Sequence, residues 1–233
     1  MSTTDQMTPD GTSRIQSALE KLEAMANKQH DMWLRMLHAY ESKSYPVDLL
    51  ATGALKRSAG LCGGFQNMIE QRNFTCAASI LRLQLDNALR FYAAFLVADP
   101  QAFASAVTDG TPVRKMKDKS GAVMTDAYLV AQLSKRYQWV AKVYETTCGY
   151  IHLSERHILQ AVESTTDEDL SVGFIMSATD KHLPEETFVE AIEAFCAATE
   201  IFHDYMEGWI YSKANPDIMA KIRDAKQKAR NAK

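Results

Sequence analysis

At 233 residues, with 46% hydrophobic and 24% charged residues, the chain has the length and balance of a globular protein able to bury a full core. A net charge of −3 and a pI near 6.1 exclude a protein that coats nucleic acid through a general basic excess, though not one with a small basic pocket. No stretch approaches the ~18 uncharged apolar residues of a membrane span, and Met1–Asp10 lacks the basic flank and apolar run of a signal peptide. No membrane partner is therefore expected. Cys62, Cys76, Cys148 and Cys196 lie far apart in apolar helical contexts and read as buried, reduced thiols, which points to a cytoplasmic protein.

Residues 1–12 are polar and read as disordered. Thr12 or Ser13 then caps a helix to about Ser42, with Ile15, Leu19, Leu22, Met32 or Trp33, and Met36 or Leu37 on its apolar stripe. After Tyr45-Pro46, a second helix runs from about Asp48 to Arg72. Its glycines at 60, 63 and 64 point to close helix packing. Asn73 or Thr75 starts a central helix that ends near Val97, and a short helical piece covers 100–107. Residues 108–121 form a basic loop, and one helix is predicted from Met124-Thr-Asp126 to Gly149. The segments 158–162 and 170–176 read as a small β-hairpin around the acidic turn 163–169. Pro184-Glu-Glu186 opens a long helix to about Lys213, and a basic helical tail follows. The fold class is mainly α: a bundle of about five to seven helices, with 13–213 as one domain between the disordered N-terminus (1–12) and the tail (214–233).

The central helix carries one narrow charged stripe. Arg82, Asp86 and Arg90 fall within an arc of about 80°, surrounded by Leu81, Leu83, Leu85, Leu89 and Phe91. Such a helix is buried on nearly every other face, so the stripe is either a solvated ion-pair ladder or the wall of a cleft. Residues 144–157 hold a second polar cluster: Tyr144, His152, Ser154, Glu155, Arg156 and His157. An imidazole exchanges protons near neutral pH and an arginine stabilises a phosphate oxyanion, which together are the minimum for phosphodiester cleavage.

Arg82 and Asp86 on a central helix, followed by Tyr144 and Ile151-His152-Leu-Ser154 at the end of a later one, resemble the pattern of all-helical domains of unknown function allied to the HEPN superfamily. The resemblance covers roughly residues 50–155. It implies His152, Arg82 and Tyr144 as the catalytic set, Asp86 as a ligand contact, and RNA or a nucleotide as ligand; Arg90 of the charged stripe and Ser154 of the polar cluster are further candidate ligand contacts. The superfamily's RNases resemble one another in an Arg-x4–6-His motif; here Arg156 abuts His157 and no arginine lies four to six residues before His152. The reading that results is a binding module, of the kind found in bacterial defence or toxin–antitoxin systems. A metal-independent RNase or nucleotide-processing enzyme using Arg82 and His152 is the alternative.

Two further readings compete. Glu200-Ile-Phe-His203 has the Glu-x-x-His spacing of di-iron bundles, but the sequence offers no second copy, so no metal or cofactor is expected. Walker, dinucleotide and GxSxG signatures are absent. The aromatics of the last long helix (Phe188, Phe195, Phe202, Tyr205, Trp209 and Tyr211) suggest an interface for self-association as a homodimer.

Overall fold

Ser13 opens the first helix by accepting the Gln16 amide, and α1 runs Arg14–His38 in a computed structural model that describes residues 13–166, 171–221 and 224. The expected disorder of 1–12, the acidic turn at 167–169 and the tail from 222 (Asp224 apart) lie outside the described residues. α1 ends four residues before the predicted Ser42. Tyr40, Glu41 and Ser42 take φ of 52°, 58° and 58°, the left-handed region that ends a helix. α2 (Pro46–Glu70) has Pro46 in its first turn, and α3 (Phe74–Tyr92) is capped by Asn73, which accepts the Cys76 amide at 3.0 Å.

The described residues form the predicted mainly-α multi-helix bundle. Its centre is four long helices, α1, α2, α3 and the final helix α8 (Glu185–Ala214). They pack as a ring: α1 on α2, α2 on α3, α3 on α8 and α8 back on α1. A polar thread crosses the middle of this ring. Ser58 of α2 accepts from Gln29 of α1 (2.9 Å) and from Gln84 of α3 (2.8 Å), and Gln84 also reaches Thr199 of α8 (3.0 Å). All four residues are buried.

Around the thread the core is aromatic. Phe65 stacks on Phe195 at 4.2 Å, while Phe74 meets Phe188 and Phe91 meets Phe202 edge-on, each at 5.6 Å. The aromatic face of α8 packs inward and is not the expected interface: Phe188, Phe195, Phe202 and Trp209 are buried within the chain, and of that set only Tyr211 is largely exposed. The cysteines also divide. Cys62 and Cys196 are buried, Cys148 is partly covered and Cys76 is exposed. Gly60 and Gly63 have no atom close to where a Cβ would sit, so close packing does not account for them.

At one end of the bundle an ion pair is sealed inside. Lys213 of α8 bonds Asp48 of α2 at 2.8 Å and the Met36 carbonyl of α1 at 2.8 Å. Asp48 also accepts the Trp209 indole N–H and the Tyr45 amide, both at 2.8 Å. Sequence reading assigned Asp48 only to a helix start. Beyond residue 214, Asn215 caps a helical stretch over 216–221 that buries Met219.

Smaller elements flank the ring. α4 (Pro100–Thr108), capped by Asp99, packs on α2. The basic loop is organised by a carboxylate: Asp118 accepts the Ser120 and Ala122 amides and the hydroxyls of Ser120 and Tyr128. The Tyr128 hydroxyl is the largest influence holding the Asp118 carboxyl down at about 2. The single helix predicted from 124 to 149 is two, α5 (Asp126–Ser134) and α6 (Val140–Ile151). The chain turns between them where Tyr137 hydrogen-bonds Asp204 of α8 at 2.7 Å, a long-range contact that overrides the continuous helical period. α6 also passes through Gly149 rather than stopping there. A short α7 (Glu155–Gln160) leads into an antiparallel pair, β1 (Val162–Thr166) and β2 (Ser171–Phe174). The hairpin is therefore narrower than predicted: 158–160 is helical, and the acidic stretch begins inside β1.

Removing one charge of a buried ion pair leaves the other uncompensated. Lys213→Met is expected to lower unfolding free energy by about 3 kcal/mol, read from urea denaturation; a loss below about 1 kcal/mol would mean that this end of the bundle does not depend on the pair.

Candidate functional site

α6 lies against α3, and the contact sets Tyr144 beside Arg82. The Arg82 guanidinium carbon sits 3.7 Å from the centroid of the Tyr144 ring, a face-on cation–π contact. Arg82 forms no ion pair with Asp86, and its buried Nε has no hydrogen-bond partner. Burial pushes the Tyr144 hydroxyl above its usual range, so it stays protonated at neutral pH.

The lower half of the stripe is an ion-pair chain. Asp86 lies 3.3 Å from Arg57 of α2 and 3.1 Å from Arg90, and Arg90 is paired in turn with Asp126 at the start of α5. Asp126 also sits where the positive end of the α5 dipole favours a carboxylate. The stripe therefore ties α2, α3 and α5 together. Helical spacing within α3 exposes Arg82, Asp86 and Arg90 as a set; it contains no signal for Arg57 or Asp126, which arrive from other helices.

His152 and Ser154 stand apart from this group. His152 caps the C-terminus of α6, is exposed, and makes no hydrogen bond, ion pair or ring contact with Arg82, Asp86 or Tyr144. Along the helix axis it lies roughly 12 Å beyond Tyr144, at 1.5 Å per residue. Ser154 is the N-cap of α7. Its hydroxyl accepts the Arg156 amide at 3.3 Å and donates to the Gly149 carbonyl at 2.8 Å, while His157 Nδ1 accepts the Ser154 amide at 3.3 Å. These contacts close the α6–α7 corner. Of the six candidate residues, the structure brings together Arg82 with Tyr144, and Asp86 with Arg90.

A different feature dominates this side of the molecule. An open cleft of about 610 Å³ lies between α3, α6, α7 and α8. Phe74, Leu81, Tyr150, Leu159 and Leu183 form most of its apolar wall, and Lys142, Arg156 and Glu190 are its charged residues. Phe74 meets Tyr150 edge-on at 5.6 Å. The Tyr150 hydroxyl accepts from Gln160 at 3.4 Å and is pushed up by burial. A Cβ on Gly149 would lie 2.9 Å from Arg156 Cδ and 3.2 Å from Ser154 Oγ, so the missing side chain is what lets Arg156 lie against α6. Arg156 belonged to the polar cluster read from the sequence. Lys142, Tyr150 and Phe74 are legible only once four elements converge.

The Glu-x-x-His pair of α8 takes another course. Glu200 is paired with Lys21 at 3.5 Å, and among the described residues no group of three or more His, Cys, Asp or Glu side chains is arranged to hold a metal ion. Burial pushes the His203 imidazole down to about 4, and its Nε2 has no hydrogen-bond partner. No helix among the described residues is long and apolar enough to cross a membrane. No family model, curated protein or solved structure matches the chain.

His203 gives the fold a defined acid sensitivity. Its folded value lies below the ordinary 6.5, so the unfolded state binds the extra proton between pH 6.5 and about 4. Stability is therefore lost as pH falls through that window, by about 2–3 kcal/mol from this residue. Chemical denaturation at pH 7 and pH 4.5, with His203→Gln as reference, checks this: the variant should lose less stability over the interval than the wild type. An NMR titration that places the His203 midpoint near 6.5 would refute it.

Proposed function

We propose that this chain is a non-catalytic, HEPN-like helical binding module whose ligand enters the cleft between α3, α6, α7 and α8. The observation that carries the reading is the separation of the polar residues from one another. Arg82 is stacked on Tyr144 and Asp86 is held by two arginines, while His152 is exposed at the far end of α6. General acid–base cleavage needs its groups within hydrogen-bonding reach of one reacting centre. The cleft has the volume and apolar lining common to small-molecule sites. The RNase reading rests on Arg82 and His152 acting together on one phosphodiester.

The reading is tested on two fronts. Single-stranded RNA and mononucleotides should pass unchanged through incubation with the wild type. Indole, as a planar apolar probe, should give saturation-transfer NMR signals that disappear in Ala194→Phe, which fills the cleft. RNA cleavage that is lost in a folded His152→Ala variant would overturn the proposal in favour of the RNase. Indole binding that ignores Ala194→Phe would remove the cleft from it.

Self-association has one observation in its favour, at a place other than α8. Leu153, Ile158, Phe174 and Met176 are all strongly exposed along the α6–α7 corner and the hairpin. If this patch is covered by a second copy, light scattering should give a dimer mass that reverts to the monomer in Ile158→Ser/Phe174→Ser. A wild-type monomer at high micromolar concentration would sink the dimer.

A further inference from the structure

We infer that the cleft between α3, α6, α7 and α8 takes a small organic carboxylate: a monoanion with an apolar body of aliphatic or aromatic carbon. The inference rests on the cleft being a ligand site and names the ligand's chemistry.

Three features of the lining point the same way. The wall is carbon: Phe74, Leu81, Leu159 and Leu183 with the Tyr150 ring, so the buried part of a ligand must be apolar to be stabilised there. The charged residues are two cations and one carboxylate. Among the described residues Lys142 on α6 and Arg156 on α7 form no ion pair, and Glu190 on α8 is the one acid lining the cleft. Two cations against one carboxylate leave a single positive charge, which matches a monoanion. A di- or triphosphate would bring more negative charge than the cleft offsets, and it would meet Glu190.

The third feature is the placing of Arg156. Its guanidinium carbon lies 5.9 Å from the centroid of the Tyr150 ring, and its stem rests against Gly149. The stem is thus held on α6 beside the aromatic wall, and the fork lies by the Tyr150 hydroxyl with no carboxylate partner among the described residues. A guanidinium fork matches a carboxylate in shape and donates two parallel hydrogen bonds to it. One opening thus joins an apolar wall to a guanidinium that no carboxylate among the described residues engages.

The test is calorimetric titration of the full chain with octanoate, octan-1-ol and adenosine monophosphate. Octanoate and octanol share an apolar chain and differ in charge. Octanoate is expected to bind at least about tenfold more tightly than octanol, a difference of about 1.4 kcal/mol, and more tightly than the nucleotide. In the Lys142→Gln/Arg156→Gln variant that preference should fall to within about threefold, with octanol binding unchanged. Ala194→Phe should abolish both, and Thr146→Leu is a second filling variant should the first not fold. Equal binding of octanoate and octanol by the wild type would overturn the carboxylate assignment while leaving the cleft as a binding site. Tighter binding of adenosine monophosphate would overturn it in favour of a nucleotide. Octanoate and octanol binding that neither filling variant disturbs, or no binding of any of the three, would overturn both the carboxylate assignment and the cleft reading.

Discussion

The buried polar thread through Gln29, Ser58, Gln84 and Thr199 is the constraint on which the bundle depends. Each long helix contributes to it, and each of the four side chains is removed from water. Apolar side chains tolerate a slip of one helix along another, since one leucine replaces another at little cost. A hydrogen bond inside the core does not, because its loss leaves a desolvated donor or acceptor with no partner. The thread therefore fixes the register of four helices together. The aromatic pairs that flank it, Phe65 with Phe195 and Phe91 with Phe202, can then meet at their observed separations. Lys213 and Asp48 repeat the device at the bundle's end, tying α1, α2 and α8 at a second level.

α3 is the element through which this frame reaches the surface. One of its faces carries Gln84 and the buried leucines and presents Phe74 and Leu81 to the cleft; another carries Asp86 and Arg90. The ion-pair chain from Arg57 to Asp126 is half-exposed, so its free-energy contribution is small, and screening by salt reduces it further. Its effect is geometric. It holds α2 and α5 against α3, and α5 in turn sets the point from which α6 departs. The cleft wall thus inherits its position from contacts that themselves face away from the cleft.

What the sequence discloses and what it hides follow from the range of the interactions involved. Ser13 and Asn73 mark helix starts because capping acts within three residues, and Pro184-Glu-Glu186 marks another because a fixed φ and first-turn acids suit a helix entry. The apolar period locates α1, α3 and α8 because it reflects burial averaged over many turns. The break between α5 and α6 is silent, since it depends on Tyr137 reaching Asp204 some sixty-seven residues away. Periodicity likewise cannot distinguish an aromatic stripe that faces a partner from one that faces the rest of its own chain, and α8 is the second kind. Asp86 was visible, but its second arginine was not, because Arg57 lies on a different helix.

The cleft occupies a thinly buried corner of the described residues. α7 contributes no buried residue, and α6 contributes only Val140 and Thr147. The corner is held by local polar contacts, from Ser154 to Gly149 and from His157 to Ser154, and by bonds to α3, where Ser79 donates to the Tyr150 carbonyl at 2.8 Å and Tyr150 packs on Phe74. Elements with few buried apolar contacts open at lower free energy than the core around them. A ligand seated between α3 and this corner would add the apolar contacts that α7 lacks, through Leu159 and the Tyr150 ring. It would stabilise the folded state the more the tighter it binds, provided it binds that state alone. The rigid ring of four helices and the thinly packed corner are therefore complementary. The ring fixes one wall of the cleft, and the thinly packed corner forms the other.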